Sequence, residues 1–201
     1  KLIIVKKALK ILFIMEIFLW ALMKSFSTTA EDYNFMWVNV YKDIDSAVSE
    51  SANWWNNSGE VLGIKPSIIY DAVDGQADKR YFYMLRQQIN SDQQGDFVIF
   101  NFAKSKNINN VLASNKKHVI PGFTMNMKSS GMRGWGAATK ITPQGSEYAS
   151  FMTYDAFDSM SNLMKHLSGD GNAAKGIDWT KTEPVVFDSR YLMEIISSTS
   201  N

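Results

Sequence analysis

The chain has 201 residues, 45% hydrophobic and 20% charged, a composition that fits a globular protein and excludes a fibrous or intrinsically disordered one. Its length suits one ordinary domain or two small repeated ones with a real core. It contains no cysteine, so disulfides, thiolate nucleophiles, zinc fingers and iron–sulfur clusters are excluded together.

Residues 1–30, "KLIIVKKALKILFIMEIFLWALMKSFSTTA", open with Lys1, Lys6, Lys7 and Lys10, continue with an apolar run from Ile11 to Met23, and end in small residues up to Ala30. That layout predicts a secretory signal peptide over 1–30 and a periplasmic or secreted protein. The run holds about thirteen residues, too few to cross roughly 30 Å of hydrocarbon at about 1.5 Å each, so no stable membrane span is expected once the signal is removed. Removing these residues leaves 16 basic against 19 acidic residues, a net charge of −3, and no Lys/Arg cluster of the kind that follows a phosphate backbone. Nucleic acid is therefore not an expected partner.

The segment "YNFMWVNVYK" (33–42) is aromatic and β-branched and predicts a strand. A helix should follow, capped by Asp43 or Asp45, with Ile44, Ala47, Val48 and Trp55 on one stripe. "SIIYDAVD" (67–74) and "RYFYMLRQ" (80–87) are further strand candidates, although Tyr81, Met84 and Leu85 also suit a helical face. "DFVIFNFAKS" (96–105) predicts a strand leading to a helix with Ile108, Val111 and Leu112 inward. "GWGAATKIT" (134–142) predicts another strand, and "TPQGSE" (142–147) a turn that closes a hairpin. "YASFMTYD" (148–155) then leads to a helix with Phe157, Met160, Met164 and Leu167 on one side, and "RYLMEIIS" (190–197) completes the set.

This order reads β-α-β-β and then β-α-β-β-α-β. The second part is the full ferredoxin-like pattern; the first is an incomplete copy. The expected class is α+β, with tandem ferredoxin-like repeats at 31–94 and 95–201, antiparallel sheets and helices on one face. Through this order, and through the three strand-to-helix steps "WVNVYKDIDSAV", "IFNFAKSKNINNV" and "FMTYDAFDSMSNL", most of 33–200 resembles the dimeric α/β-barrel superfamily, which includes antibiotic-biosynthesis-monooxygenase-like and NIPSNAP-like proteins. The resemblance implies two sheets facing each other around a ligand pocket, a homodimer or a tandem chain, and chemistry of a cofactor-independent oxygenase or isomerase type.

Aligning the three steps brings Asn39, Asn101 and Thr153 to one position. Trp37, Tyr41, Phe151 and Asp155 share their face, together with Ile99 and Ala103. Val38, Val40, Phe100, Phe102, Met152 and Tyr154 form the other set, which carries a single polar atom and is expected to pack under the helices. The first set would then line a mainly apolar pocket with a few placed polar groups, as small-molecule sites do. The competing reading is that Asn39, Asn101 and Thr153 only bond nearby backbone at strand ends.

Trp135, between two glycines, is a further lining candidate. Trp54 and Trp55 could serve core and interface. His118 and Asp155 are the catalytic candidates, Asp155 with no role assigned; His118 could be a general base or an axial haem ligand, as one histidine is in some haem-binding relatives of the superfamily, but no haem or other cofactor signature accompanies it here. His166, near a helix end, needs no function on sequence grounds. No stretch has metal-ligand spacing; "DAVDGQAD" (71–78) and "DGN" (170–172) read as turns. Two functions follow as expectations: an exported small-molecule-binding protein or small cofactor-independent enzyme acting on an apolar organic ligand, or a non-catalytic interaction protein that uses an open sheet face.

Overall fold

The computed structural model describes residues 19–28, 35–49, 82–141 and 151–198. The predicted strand at 67–74, the acidic stretch 71–78, Trp54 and Trp55, and the turn at 142–147 lie outside the described residues. The chain divides into two compact units, the larger comprising Met23–Met36 and Arg80–Ile195, the smaller Lys1–Leu22, Trp37–Lys79 and Ile196–Asn201.

In the smaller unit, strand β2 (Phe35–Val40, entering at Trp37) leads into helix α1, described over 44–49. Asp43 caps it: its Oδ1 accepts the Ser46 N–H at 2.7 Å, satisfying a donor of the first turn that has no partner inside the helix.

The larger unit holds β1 (Leu19–Thr28, from Met23 onward), β3 (Tyr83–Asn90), β4 (Phe97–Lys104), α2 (Ile108–Ser114), α3 (Ile120–Ser130), β5 (Met132–Lys140), β6 (Phe151–Phe157), α4 (Met160–Ser168) and β7 (Val186–Ser198, up to Ile195). Its strands lie in the order β1-β7-β4-β6-β5-β3. The pairs β7·β4, β4·β6, β6·β5 and β5·β3 are antiparallel. From β4 to β7 the chain runs β-α-β-β-α-β with strand order β7-β4-β6-β5, the ferredoxin-like arrangement, and β3 adds to its edge beside β5.

Each helix start follows from its sequence. Asn107 Oδ1 accepts the Asn110 N–H at 3.1 Å to open α2, and Ser159 Oγ accepts the Asn162 N–H at 3.3 Å to open α4. The three strand-to-helix steps therefore share one device, a short polar cap at Asp43, Asn107 or Ser159.

Three elements depart from the expectations. Residues Leu19–Thr28, inside the segment assigned to an export signal, form β1, with Met23 buried and Lys24 exposed. The helix expected around Ile108–Leu112 continues to Ser130 through a wide π turn at Asn115–Val119, where the Ile120 N–H reaches back five residues to the Asn115 carbonyl. Pro121 stands just beyond; its ring would crowd the carbonyl four residues earlier, and a widened turn relieves that conflict. Phe157 ends β6 rather than opening the helical stripe, which is carried by Leu163, fully buried, while Met164 is exposed.

The core lies between the sheet and its helices. Val119, Phe123 and Met127 from α3 and the turn before it, and Leu163 from α4, pack on Ile99, Trp135, Ala137, Phe157 and Leu192 of the sheet. Each large side chain so buried contributes about 1.5–3 kcal/mol. Ala103 and Phe151 join Val111 of α2 in a second cluster on the same side. This corrects the expected assignment of faces. The set containing Ile99, Asn101, Ala103, Phe151 and Asp155 lies under the helices. The set containing Phe102 and Tyr154 lies on the reverse of the sheet, where Phe102 packs edge-on to Tyr191 at 5.4 Å and against Tyr83 at 5.9 Å. Counting polar atoms misassigned the faces because the helix-covered side tolerates polar groups wherever they satisfy one another.

Candidate functional site

Two rows of residues cross the helix-covered face side by side. One joins Gln87, Ala137, Thr153, Asn101 and Arg190 as cross-strand partners from β3 to β7; the next joins Ile89, Trp135, Asp155, Ile99 and Leu192. The first is mostly polar, the second apolar except for Asp155.

The polar groups form a chain of hydrogen bonds. Arg190 Nε donates to Asn101 Oδ1 at 2.7 Å. Asn101 Nδ2 donates to Asp155 Oδ2 at 2.7 Å and to Thr153 Oγ1 at 3.2 Å. Asn101 and Asp155 are each only 5% exposed. At the far end Gln87 Nε2 donates to the Leu112 carbonyl at 2.7 Å, tying β3 to α2, while Gln87 Oε1 is buried with no hydrogen-bond partner among the described residues.

Asp155 is the chemically distinctive group. Burial pushes its carboxyl above the usual carboxylate range, because a charge removed from water is disfavoured. Pulling the other way, each more weakly, are the nearby His166, the Asn101 hydrogen bond and the Arg190 guanidinium. Its surroundings are aromatic: Trp135 stands opposite it on β5, Phe123 lies 5.9 Å from Trp135, and His166 lies 5.1 Å from Phe157 and 6.2 Å from Phe123 between ring centroids. On the reverse of the sheet burial, aided by the Asp155 charge, pushes the Tyr154 phenol up to about 12.

Of the residues singled out in the sequence, Asn101, Thr153 and Asp155 come together through hydrogen bonds, with Trp135 alongside. Phe151 belongs to the neighbouring Ala103–Val111 cluster. Trp37, Asn39 and Tyr41 belong to the smaller unit, where Asn39 is exposed and Tyr41 half-buried; the Trp37 side chain lies outside the described residues. His118, on the π turn, borders an open depression with Asn110, Lys117, Lys181 and Glu183. Those neighbours are polar and charged and do not fit a haem, whose faces require apolar enclosure. Arg190 and His166 were not among the predicted site residues. Arg190 bonds a residue 89 positions away, which no local pattern reveals. His166 had a weak signal, its place near a helix end, which reads equally well as capping.

The helix-covered face thus defines an antiparallel α+β protein of ferredoxin-like type with one buried carboxyl group among the described residues, held by an amide. Solved structures share the fold. An anthrone oxidase-like protein matches with TM-score 0.56 at 11% identity, covering 97% of this chain and 87% of its own. Two monooxygenase-like proteins also match: one from Fusobacterium nucleatum subsp. nucleatum ATCC 25586, TM-score 0.56 at 10% identity, covering 91% of this chain and 77% of its own; the other from Lactobacillus acidophilus NCFM, TM-score 0.55 at 13% identity, covering 98% and 86%. At these identities the likeness is one of fold. No protein-family model matches the sequence, and no curated protein matches it. No helix among the described residues is long and apolar enough to cross a membrane.

Proposed function

We propose that this protein is a small enzyme of the cofactor-independent oxygenase type, in which Asp155 is the general base acting on an apolar aromatic molecule with an acidic C–H. The observation that carries this reading is Asp155 itself, a carboxyl with a raised pKa, sealed among aromatic rings and bonded by Asn101. A base works best when its pKa lies near the operating pH, and burial moves a carboxyl in that direction. The fold shared with monooxygenase-like and anthrone oxidase-like structures supports the reaction class by analogy.

In this reaction Asp155 removes a proton from an activated methylene carbon and the resulting carbanion is oxidised by dioxygen. In sum the methylene group and dioxygen give a ketone carbonyl and water: one oxygen atom stays on carbon, and the other leaves with the two hydrogens. Asn101 and Arg190 stabilise the carboxylate before the proton moves. On this reading the site lies between sheet and helices, where the resemblance implied a space between two sheets. A homodimer remains part of the proposal, as the resemblance implies.

The test is oxygen uptake with anthrone as substrate, measured on the purified protein and on Asp155→Asn. Removal of a general base should lower turnover about 10²–10⁴-fold. Wild-type turnover in Asp155→Asn overturns the assignment.

A further inference from the structure

The helical segment from α2 through α3 turns a buried stripe to the sheet: Val111, Asn115, Val119, Phe123 and Met127, at steps of four. Four residues of α-helix turn about 40° too far to stay on one line. The wider π turn at Asn115–Val119 takes up part of that drift and keeps its first residue inward. Asn115 is the polar member of the stripe. It is 8% exposed, and its side chain makes no hydrogen bond to a described residue, whereas buried amides are as a rule matched by a polar partner.

Its place over the sheet follows from its neighbours. Val111, one turn before, packs with Ala103 and Phe151; Val119, one turn after, belongs to the core around Ile99 and Trp135. The row between those two on the sheet is the polar one that carries Thr153 and Asn101. The Leu112 carbonyl accepts from both the Asn115 N–H and Gln87 Nε2, which ties this turn to the same row. Within the row Asn101 and Ala137 are buried, while Thr153 between them keeps part of its surface. The Thr153 hydroxyl accepts from Asn101 and donates to no described residue, so its hydrogen is available to a ligand.

Asn101 Nδ2 donates to Asp155 at 2.7 Å and to Thr153 at 3.2 Å, and two bonds diverging from one nitrogen at about the trigonal angle set those two oxygens roughly 5 Å apart. A proton acceptor and a hydrogen-bond donor thus stand side by side on β6. We infer, resting on the catalytic reading above, that Thr153 and Asn115 are the catalytic donor pair that holds the substrate's carbonyl oxygen. When Asp155 takes the proton from the methylene carbon, the electron pair of that C–H bond moves through the conjugated ring and the carbonyl oxygen becomes an oxyanion. The Thr153 O–H and an Asn115 Nδ2–H donate to it, and donors fixed in advance favour charge where it forms. The substrate class is then an aromatic ketone whose acidic methylene is conjugated with its carbonyl once deprotonated.

Two measurements test this. The first needs no turnover. In Asp155→Asn, whose neutral amide stands in for the protonated carboxyl, 4-nitrophenol is bound and its ionisation followed by the visible absorbance of the phenolate. Binding should favour the phenolate about tenfold, and adding Thr153→Val or Asn115→Leu should remove most of that preference. The second reads anthrone turnover. Thr153→Val and Asn115→Leu should each lower kcat about 10²-fold with KM little changed, because the donors act on charge that forms only as the proton moves. Thr153→Ser keeps the hydroxyl and should retain most of the activity.

4-Nitrophenol that does not bind, that ionises as it does free in solution, or that ionises as readily after both substitutions overturns the donor pair. So does wild-type kcat in both variants, or a loss in Thr153→Ser as deep as in Thr153→Val, which marks a packing role. Loss of turnover in Asp155→Asn beside wild-type turnover in Thr153→Val and Asn115→Leu removes the donor pair and leaves the base standing. If wild-type protein does not oxidise anthrone, the proposed reaction falls, and the 4-nitrophenol ionisation alone decides whether Thr153 and Asn115 bind an anionic oxygen.

Discussion

Asn101 has its orientation fixed by what its neighbours can do. A guanidinium only donates, so the Asn101 oxygen must face Arg190, and its amide hydrogens then point at Asp155 and Thr153. One side chain thereby carries the influence of Arg190 to the carboxylate. Asn101→Leu, close in volume but without polar atoms, removes an acceptor from Arg190 and a donor from Asp155. It should destabilise the fold by about 3 kcal/mol, since groups left inside without a matching partner carry most of their desolvation cost. Urea denaturation measures this, and 13C NMR should show the Asp155 transition moving further upward. At this scale the sequence was partly legible. Asn101 and Thr153 fall at equivalent places in two strand-to-helix steps and prove to be direct cross-strand partners. Their face was not legible, because the feature that makes it habitable, the closed chain from Arg190 to Asp155, joins residues far apart along the chain.

Between elements, the β5·β6 pair depends on a missing side chain. Gly136 stands opposite Tyr154, and a Cβ at position 136 would run into the Tyr154 ring, including its hydroxyl end. The tyrosine lies across the backbone of β5 because nothing stands there. Gly136→Ala should therefore cost about 1–3 kcal/mol through overpacking, and Gly136→Val more. Adding Tyr154→Leu to Gly136→Ala should return part of that loss, and a thermal-denaturation double-mutant cycle checks whether the two positions are coupled. The sequence showed Trp135 between two glycines without showing what lies across them, and it marked the strand-to-helix steps through their periodicity and, in the first, an acidic cap. It did not show β1, because a short apolar run after a basic start has the same composition whether it serves as a leader or as a strand. It also did not show the length of the second helix, since Pro121 ordinarily argues for a break, and only the wide turn before it lets the helix continue.

For the molecule as a whole, a buried acid makes stability depend on pH with a definite sign. The folded-state pKa of Asp155 is raised above its ordinary 3.8, so between 3.8 and the folded value the native chain binds more protons than the unfolded one. Stability contributed by this group is fully present below 3.8 and is lost as pH rises through the folded pKa. Above that pH the fold carries a charge that burial disfavours. Asp155→Asn keeps the shape and an oxygen for Asn101 while removing the charge, so it should raise Tm at pH 8 by several degrees, given that about 1 kcal/mol moves Tm by roughly 2–4 °C for a chain of this size. The advantage should shrink as pH falls toward 4 and the wild-type carboxyl itself becomes neutral. Thermal melts of both proteins across that range make the comparison, and equal Tm values at both pH extremes would falsify the buried, raised carboxyl. The site proposed for catalysis would then lower the stability of its own fold at neutral pH, a cost that a purely structural residue at position 155 has no reason to impose.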